Sequence, residues 1–311
     1  MFTYAAVKDD PKLFLALTGL LPAEFAELLV AFQAAWDEHI RTEYVDGKKR
    51  QRRYGGGRKP TLSTIEDKLL FILYYFKAYP LQAVLGFEFG MSQGQACEWV
   101  HTLSKVLKMA LQRLDQLPER LPEQMATRLA ASGETEFAVD GTERRRQRPK
   151  DNEKQKEYYS GKKKAHTVKN NVVVTRQGRK IKYLSGTYAG KKHDKKICDE
   201  EQATFPEGST LYQDLGFQGH TPAGVIIQQP KKKPRGKELS AEEKAQNRLI
   251  SRLRIVVEHV ISGIKRCHIV KDVFRNIKAG FDDLVMEIAC GLHNFRTECR
   301  SKAKARQAVA T

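Results

Sequence analysis

No stretch of this chain stays apolar for the roughly 18 residues that mark a membrane-spanning helix, and Met1–Leu20 shows no charged-then-apolar leader pattern. A cytoplasmic protein without a membrane partner is the expectation. Cysteine is sparse: the five residues Cys97, Cys198, Cys267, Cys290 and Cys299 are odd in number and scattered, with no Cys-x-x-Cys. That argues for reduced thiols and against a disulfide framework. Also missing is a basic amphipathic helix with a bulky aromatic face, which makes a lipid surface the weakest polyanionic partner. Acid is in short supply: 37 Asp and Glu stand against 55 Lys and Arg, a net charge of +18. Such an excess is silent about fold but points to a polyanion, with nucleic acid the default and ribosomal RNA a competitor. Hydrophobic residues at 41% of 311 positions fit a globular protein with core enough for one large domain or two smaller ones.

Charge and pattern divide the chain. Residues 1–40 are acidic, with Lys8 and Lys12 against Asp9, Asp10, Glu24, Glu27, Asp37 and Glu38. Helices are expected over Leu13–Leu20 and Ala23–Ile40, a pair for packing or self-association. Residues 41–60 switch sign: Lys48, Lys49, Arg50, Arg52, Arg53, Arg58 and Lys59 surround Gly55-Gly56-Gly57. This reads as a flexible linker, either solvated or in contact with a phosphate backbone. Within 61–130, the stripe Ile65, Leu69, Leu70, Leu73 and Phe76 predicts a helix, and Pro80 opens a second over Leu81–Phe87. Gly90-Met91 marks a turn, and Ser92 caps a third helix with Gln95 at the capping-box position. Gln93, Gln95 and Glu98 then lie where a recognition helix reads base edges, although a plain three-helix bundle gives the same pattern.

The segment 131–300 carries the chemistry, and 301–311 is a basic tail. Phe137-Ala138-Val139 reads as a buried strand running into Asp140-Gly141. The glycine is expected to let the chain turn away at once, leaving Asp140 at the strand mouth; a surface Asp-Gly turn is the plain alternative. Arg144, Arg145, Arg146, Arg148, Lys150, Lys154, Lys156, Lys162, Lys163 and Lys164 follow, with Tyr158 and Tyr159 among them, and predict a basic loop against a phosphodiester backbone. A hairpin is expected over Thr167–Thr175 and Ile181–Ser185, and a helix over His193–Ala203. Leu211-Tyr212-Gln213 runs into Asp214, with Gly216 breaking the strand, so both aspartates can reach one sheet edge. A short strand over Val225–Gln229 precedes a long helix capped by Ser240 with Glu243 at the box position. On a wheel started at Arg254, Glu258 falls at about 40° and Lys265 at about 20°. Leu249, Leu253, Val256, Val260 and Ile264 gather at about 200–280° and form the expected packing face.

Three carboxylates on strand, strand and helix suit a pair of divalent cations, which need shared hard oxygen ligands. Here the sequence resembles a DDE transposase of bacterial insertion sequences, in the insertion sequence five and Harbinger-like branch. Asp140-Gly141-Thr142-Glu143 is similar to the first-acid motif of that family, and Asp214-Leu215-Gly216-Phe217 to the second. Arg254, Glu258 and Lys265 match the spacing of the third, although Ser251 stands where the family usually has tyrosine, which puts a DNA contact in doubt. His193-Asp194 resembles a further motif between the acids. The resemblance runs from about Leu62 to Arg296. It implies a ribonuclease H-like α/β catalytic domain, a mixed five-stranded sheet flanked by helices, behind an all-α helix-turn-helix region. It implies Asp140, Asp214 and Glu258 as catalytic metal ligands for magnesium, with manganese able to substitute. Arg254, Lys265, Arg144, Arg145, Arg146, Lys162, Lys163, Lys164, Gln93 and Gln95 are the expected DNA contacts. The implied partners are double-stranded terminal inverted repeats and target DNA, met as a homodimer or larger assembly in the nucleoid. A DNA-binding regulator with an inactive nuclease fold, and a metal-dependent nuclease that does not join strands, are the alternatives.

Overall fold

The computed structural model describes residues 2–46, 59–236 and 238–310. Most of the glycine-rich basic linker lies outside them. Contacts divide the chain into a helical unit, Met1–Leu117 with Arg266–Ile269 and Leu284–Thr311, and a sheet-containing unit, Pro118–Lys265 with Val270–Asp283. By contacts, residues 1–40 lie within the first unit, and most of the last helix joins it. Charge tracts mark what faces water, whereas apolar faces decide what packs together.

The helical unit opens with α1 (Tyr4–Val7), α2 (Pro11–Thr18) and α3 (Pro22–Ile40). Asp10 caps α2 by accepting from the amides of Lys12 and Leu13 at 3.0 and 2.9 Å. Phe14, Phe25, Leu28 and Phe32 are all buried. Next come α4 (Ile65–Ala78), α5 (Gln82–Glu88) and α6 (Gln93–Arg113), the expected helix-turn-helix order. Ser92 caps α6 as its sequence predicts: the Gln95 amide donates to Ser92 Oγ at 3.3 Å, and the Ser92 amide donates to Gln95 Oε1 at 3.1 Å. The turn between α5 and α6 closes on Gly86, where a Cβ would sit 2.7 Å from the Met91 carbonyl oxygen. Lys68 is buried; its ammonium donates to the carbonyls of Leu62 and Thr64 at 2.8 and 3.2 Å and lies over the rings of Trp36 and Trp99. Those partners offset the cost of removing the charge from water. Among the described residues no single helix is long and apolar enough to cross a membrane.

In the second unit, α7 (Met125–Ala130) leads into β1 (Glu136–Arg145). Then follow α8 (Asn152–Tyr158), β2 (Tyr159–Ser160), β3 (Ala165–Thr175), β4 (Ile181–Leu184) and β5 (Tyr188–Ala189). The unit continues with α9 (Asp194–Glu201), β6 (Thr210–Tyr212), β7 (Ile226–Gln228) and α10 (Ala241–Ile264). The chain then passes through α11 (His268–Lys271) into α12 (Phe281–Ala310). β1 pairs antiparallel with β3 from Phe137↔Thr175 to Arg145↔Thr167, and parallel with β6. β7 lies parallel beyond β6, while β2, β5 and β4 share the other edge of β3. The backbone order β4-β3-β1-β6-β7 is the expected ribonuclease H-like sheet, enlarged by two two-residue strands. Phe137, Val139, Val173, Tyr183, Leu211 and Phe217 fill one face with Met125 and Leu129 of α7.

Three expectations change. The chain does not turn away at Gly141, because β1 continues to Arg145 and its ladder with β3 outweighs the local turn preference. The basic stretch after it is not one loop but the end of β1, α8, β2 and a turn into β3. The packing face of α10 is Ile250, Val257, Val260 and Ile264, with Leu249 half exposed at 49%. That face is turned about 40–50° toward Arg254 from the one expected.

Candidate active site

Asp140 and Asp214 come together because β1 and β6 are parallel neighbours. The register sets Ala138 against Tyr212. β6 ends at Tyr212, and Asp214, two residues on, starts a short helical turn close enough to Asp140 for the two carboxylates to repel. Each acid is shaped by the glycine that follows. The Gly141 amide donates to Asp140 Oδ1 at 2.8 Å, and the Gly216 amide donates to Asp214 Oδ1 at 2.8 Å. A Cβ on Gly216 would lie 2.9 Å from that same oxygen, so a side chain here would displace the Asp214 carboxylate from its present place. Phe217, only 1% exposed, anchors the turn in the core.

Burial pushes the Asp140 carboxyl up to about 6, and the nearby Asp214 and Asp194 carboxylates add to the rise; Arg254 and the Gly141 amide oppose it. Two hard oxygen donors that repel each other in a partly buried setting fit a divalent cation, which would relieve the repulsion. Arg254 is half-buried on α10, and its Nε is buried with no hydrogen-bond partner among the described residues. Lys265 caps the end of that helix; burial holds its ammonium below the usual lysine range, with Lys163 adding to the effect and Asp140 opposing it. Glu258 lies one turn beyond Arg254 and is exposed, and no three Asp, Glu, His or Cys side chains among the described residues are grouped to hold one ion. The structure therefore joins the first two acids with Arg254 and does not bring the third into a shared set.

The expected DNA contacts divide sharply. Arg145, Lys162, Lys163 and Lys164 are exposed. Arg144 is not: at 3% exposure it donates to the Asp282 carbonyl at 2.9 Å and to Asn170 Oδ1 at 2.8 Å, an internal brace rather than a surface cation. It falls on the inward face because β1 continues past Gly141. Arg146 lies over the Tyr158 ring at 4.2 Å and pairs with Asp282 at 3.8 Å. On α6, Gln93 and Gln95 are exposed, and the side-chain oxygen of Gln95 is engaged in the cap. Sequence reasoning left Asp194 out of the site. The structure sets it against Gly141, and the adjoining His193-Asp194 motif was the one signal pointing there.

Residues 139–294 match the family described as DDE superfamily endonuclease, and residues 60–112 match the helix-turn-helix of DDE superfamily endonuclease. The chain is 32% identical over 250 residues to the "Probable transposase for insertion sequence element IS702" of Microchaete diplosiphon, covering 80% of this chain and 86% of that protein. No solved structure matches it.

Proposed function

The chain belongs to the DDE superfamily of endonucleases, among the transposases of insertion sequences, and on that footing we propose that it cuts the ends of its own element and joins them to new DNA. Residues 61–130 read the terminal inverted repeats, with Gln93 and Gln95 at base edges, and residues 131–300 carry the chemistry. In the first step water attacks a phosphorus at the element's end as the P–O bond to the 3′ oxygen breaks; the water gives a proton to solvent and the leaving 3′ oxygen takes one up. In the second, the freed 3′-hydroxyl attacks a phosphorus of the target, one P–O bond forming as another breaks. Both are in-line displacements, so one site serves both.

The meeting of Asp140, on β1, with Asp214, just past the end of the parallel neighbour β6, carries this reading. They would hold magnesium, or manganese in its place, and Glu258, exposed in this structure, would turn in to complete the set. When bound, such ions neutralise charge on the attacking and leaving oxygens. Arg254, its buried Nε without a hydrogen-bond partner among the described residues, holds a phosphate oxygen; Lys265 and the exposed Arg145 and Lys162–Lys164 steer the strand. The protein works as a homodimer or larger assembly on DNA in the nucleoid.

Strand-transfer assays on a labelled duplex bearing the inverted repeats that flank the coding region test the proposal. Wild type is expected to cut and join in magnesium. Asp140→Ala, Asp214→Ala and Glu258→Ala are each expected to bind the duplex and do neither. Binding without any cleavage by wild type would make the chain a regulator, and cleavage without joining would make it a simple nuclease.

A further inference from the structure

We infer that Asp194 is a positioning residue for the first acid, acting through the backbone of Gly141; the inference rests on the endonuclease reading above. Gly141 leaves a notch in the middle of β1, and the Asp194 carboxylate fills it. A Cβ built on Gly141 would meet Asp194 Cγ at 2.8 Å and its two carboxylate oxygens at 2.9 and 3.0 Å. The wedge is held from two sides. Lys169 pairs with Asp194 Oδ1 at 3.1 Å, and Asn171 Nδ2 donates to the Asp194 carbonyl at 2.9 Å. Both come from β3, where Asn171 stands opposite Gly141 and Lys169 opposite Glu143. The pair is sheltered, the side chains of Lys169 and Asp194 being 11% and 26% exposed.

The consequence lies one bond away. The Gly141 amide is the group that donates to Asp140 Oδ1 at 2.8 Å. Whatever fixes the height of Gly141 in the sheet fixes that amide, and with it the direction in which Asp140 presents its oxygens. Asp194 begins α9, so the start of that helix bears on the catalytic strand here. The motif glycine after the first acid is thus a socket, needed for what presses against it rather than for a turn.

Two substitutions that compete for the same space give the test. Gly141→Ala puts a methyl group where the carboxylate sits; Asp194→Ala empties the notch; the double variant fills it again with the methyl. Cleavage of the flanking-repeat duplex, Mn2+ affinity by electron paramagnetic resonance, duplex binding and melting temperature are measured for each. Each single variant is expected to lose about tenfold or more in cleavage rate and in Mn2+ affinity, the scale on which groups behind a metal ligand act. Duplex binding is expected to hold, and the double variant to recover to within about threefold of wild type, a coupling that independent sites would not show. Asp194→Ala cleaving and binding Mn2+ like wild type would overturn the inference. So would a double variant no better than the worse single variant at unchanged melting temperature. A wild type that does not cut, or an Asp140→Ala that does, would instead sink the endonuclease role of Asp140, and the Mn2+ pattern would still decide on Asp194.

Discussion

Asp140 carries a cost that the folded chain accepts. Its proton is held more tightly in the folded protein, where the carboxyl sits near 6, than at its ordinary value of 3.8. In the absence of metal it therefore favours the fold at acid pH, and that contribution is lost as pH rises from about 4 through about 6. The full effect is on the order of 2–3 kcal/mol at most. Asp140→Asn removes the titration. In EDTA its melting temperature is expected to rise above that of wild type at pH 7.5, with the gap closing below about pH 4. Manganese should stabilise wild type and leave the variant unmoved. Equal melting curves at both pH values would show that the carboxylate is not under the strain described. Both acids were legible as residues because each follows a short apolar run and has a glycine one or two positions on. What the glycines are for was not legible: Gly216 makes room for its own aspartate, while Gly141 makes room for Asp194, more than fifty positions along the chain. Spacing along the polymer carries no trace of such a contact.

Elements were read best where their signals are local. The capping boxes at Ser92 and Ser240 begin α6 and α10 as expected, because the whole motif fits within four residues. The continuation of β1 through Asp140-Gly141 was missed because a nine-residue ladder with β3 is invisible to a turn preference. The wheel of α10 gave the right spacing and the wrong orientation, and the turn of that face toward Arg254 is what half-buries Arg254. The β2–β3 turn makes a contrasting pair with the end of β1. Replacing Lys162, Lys163 and Lys164 together by Gln should weaken duplex binding and lower the slope of log affinity against log salt by about 2–3, since each phosphate contact contributes about 0.9. Arg144→Met should leave that slope alone and lower the melting temperature, because its partners are Asp282 and Asn170. An unchanged slope in the lysine variant would remove the turn from the DNA path.

At the scale of the whole molecule, a net charge of +18 fits a polyanionic partner, and the two family matches place a helix-turn-helix region at 60–112 and the endonuclease region at 139–294. Folding alone brings together Asp140, Asp214 and Arg254 and leaves Glu258 exposed one helical turn away. The central claim is that all three acids serve one cluster of ions. The anomalous signal of manganese in crystals of the protein bound to its end duplex measures this directly. Density within about 2.2 Å of Asp140 and Asp214 oxygens, with Glu258 turned in to the same cluster, is the expected result. Manganese absent from that pair, or present there with Glu258 still facing solvent, would contradict it.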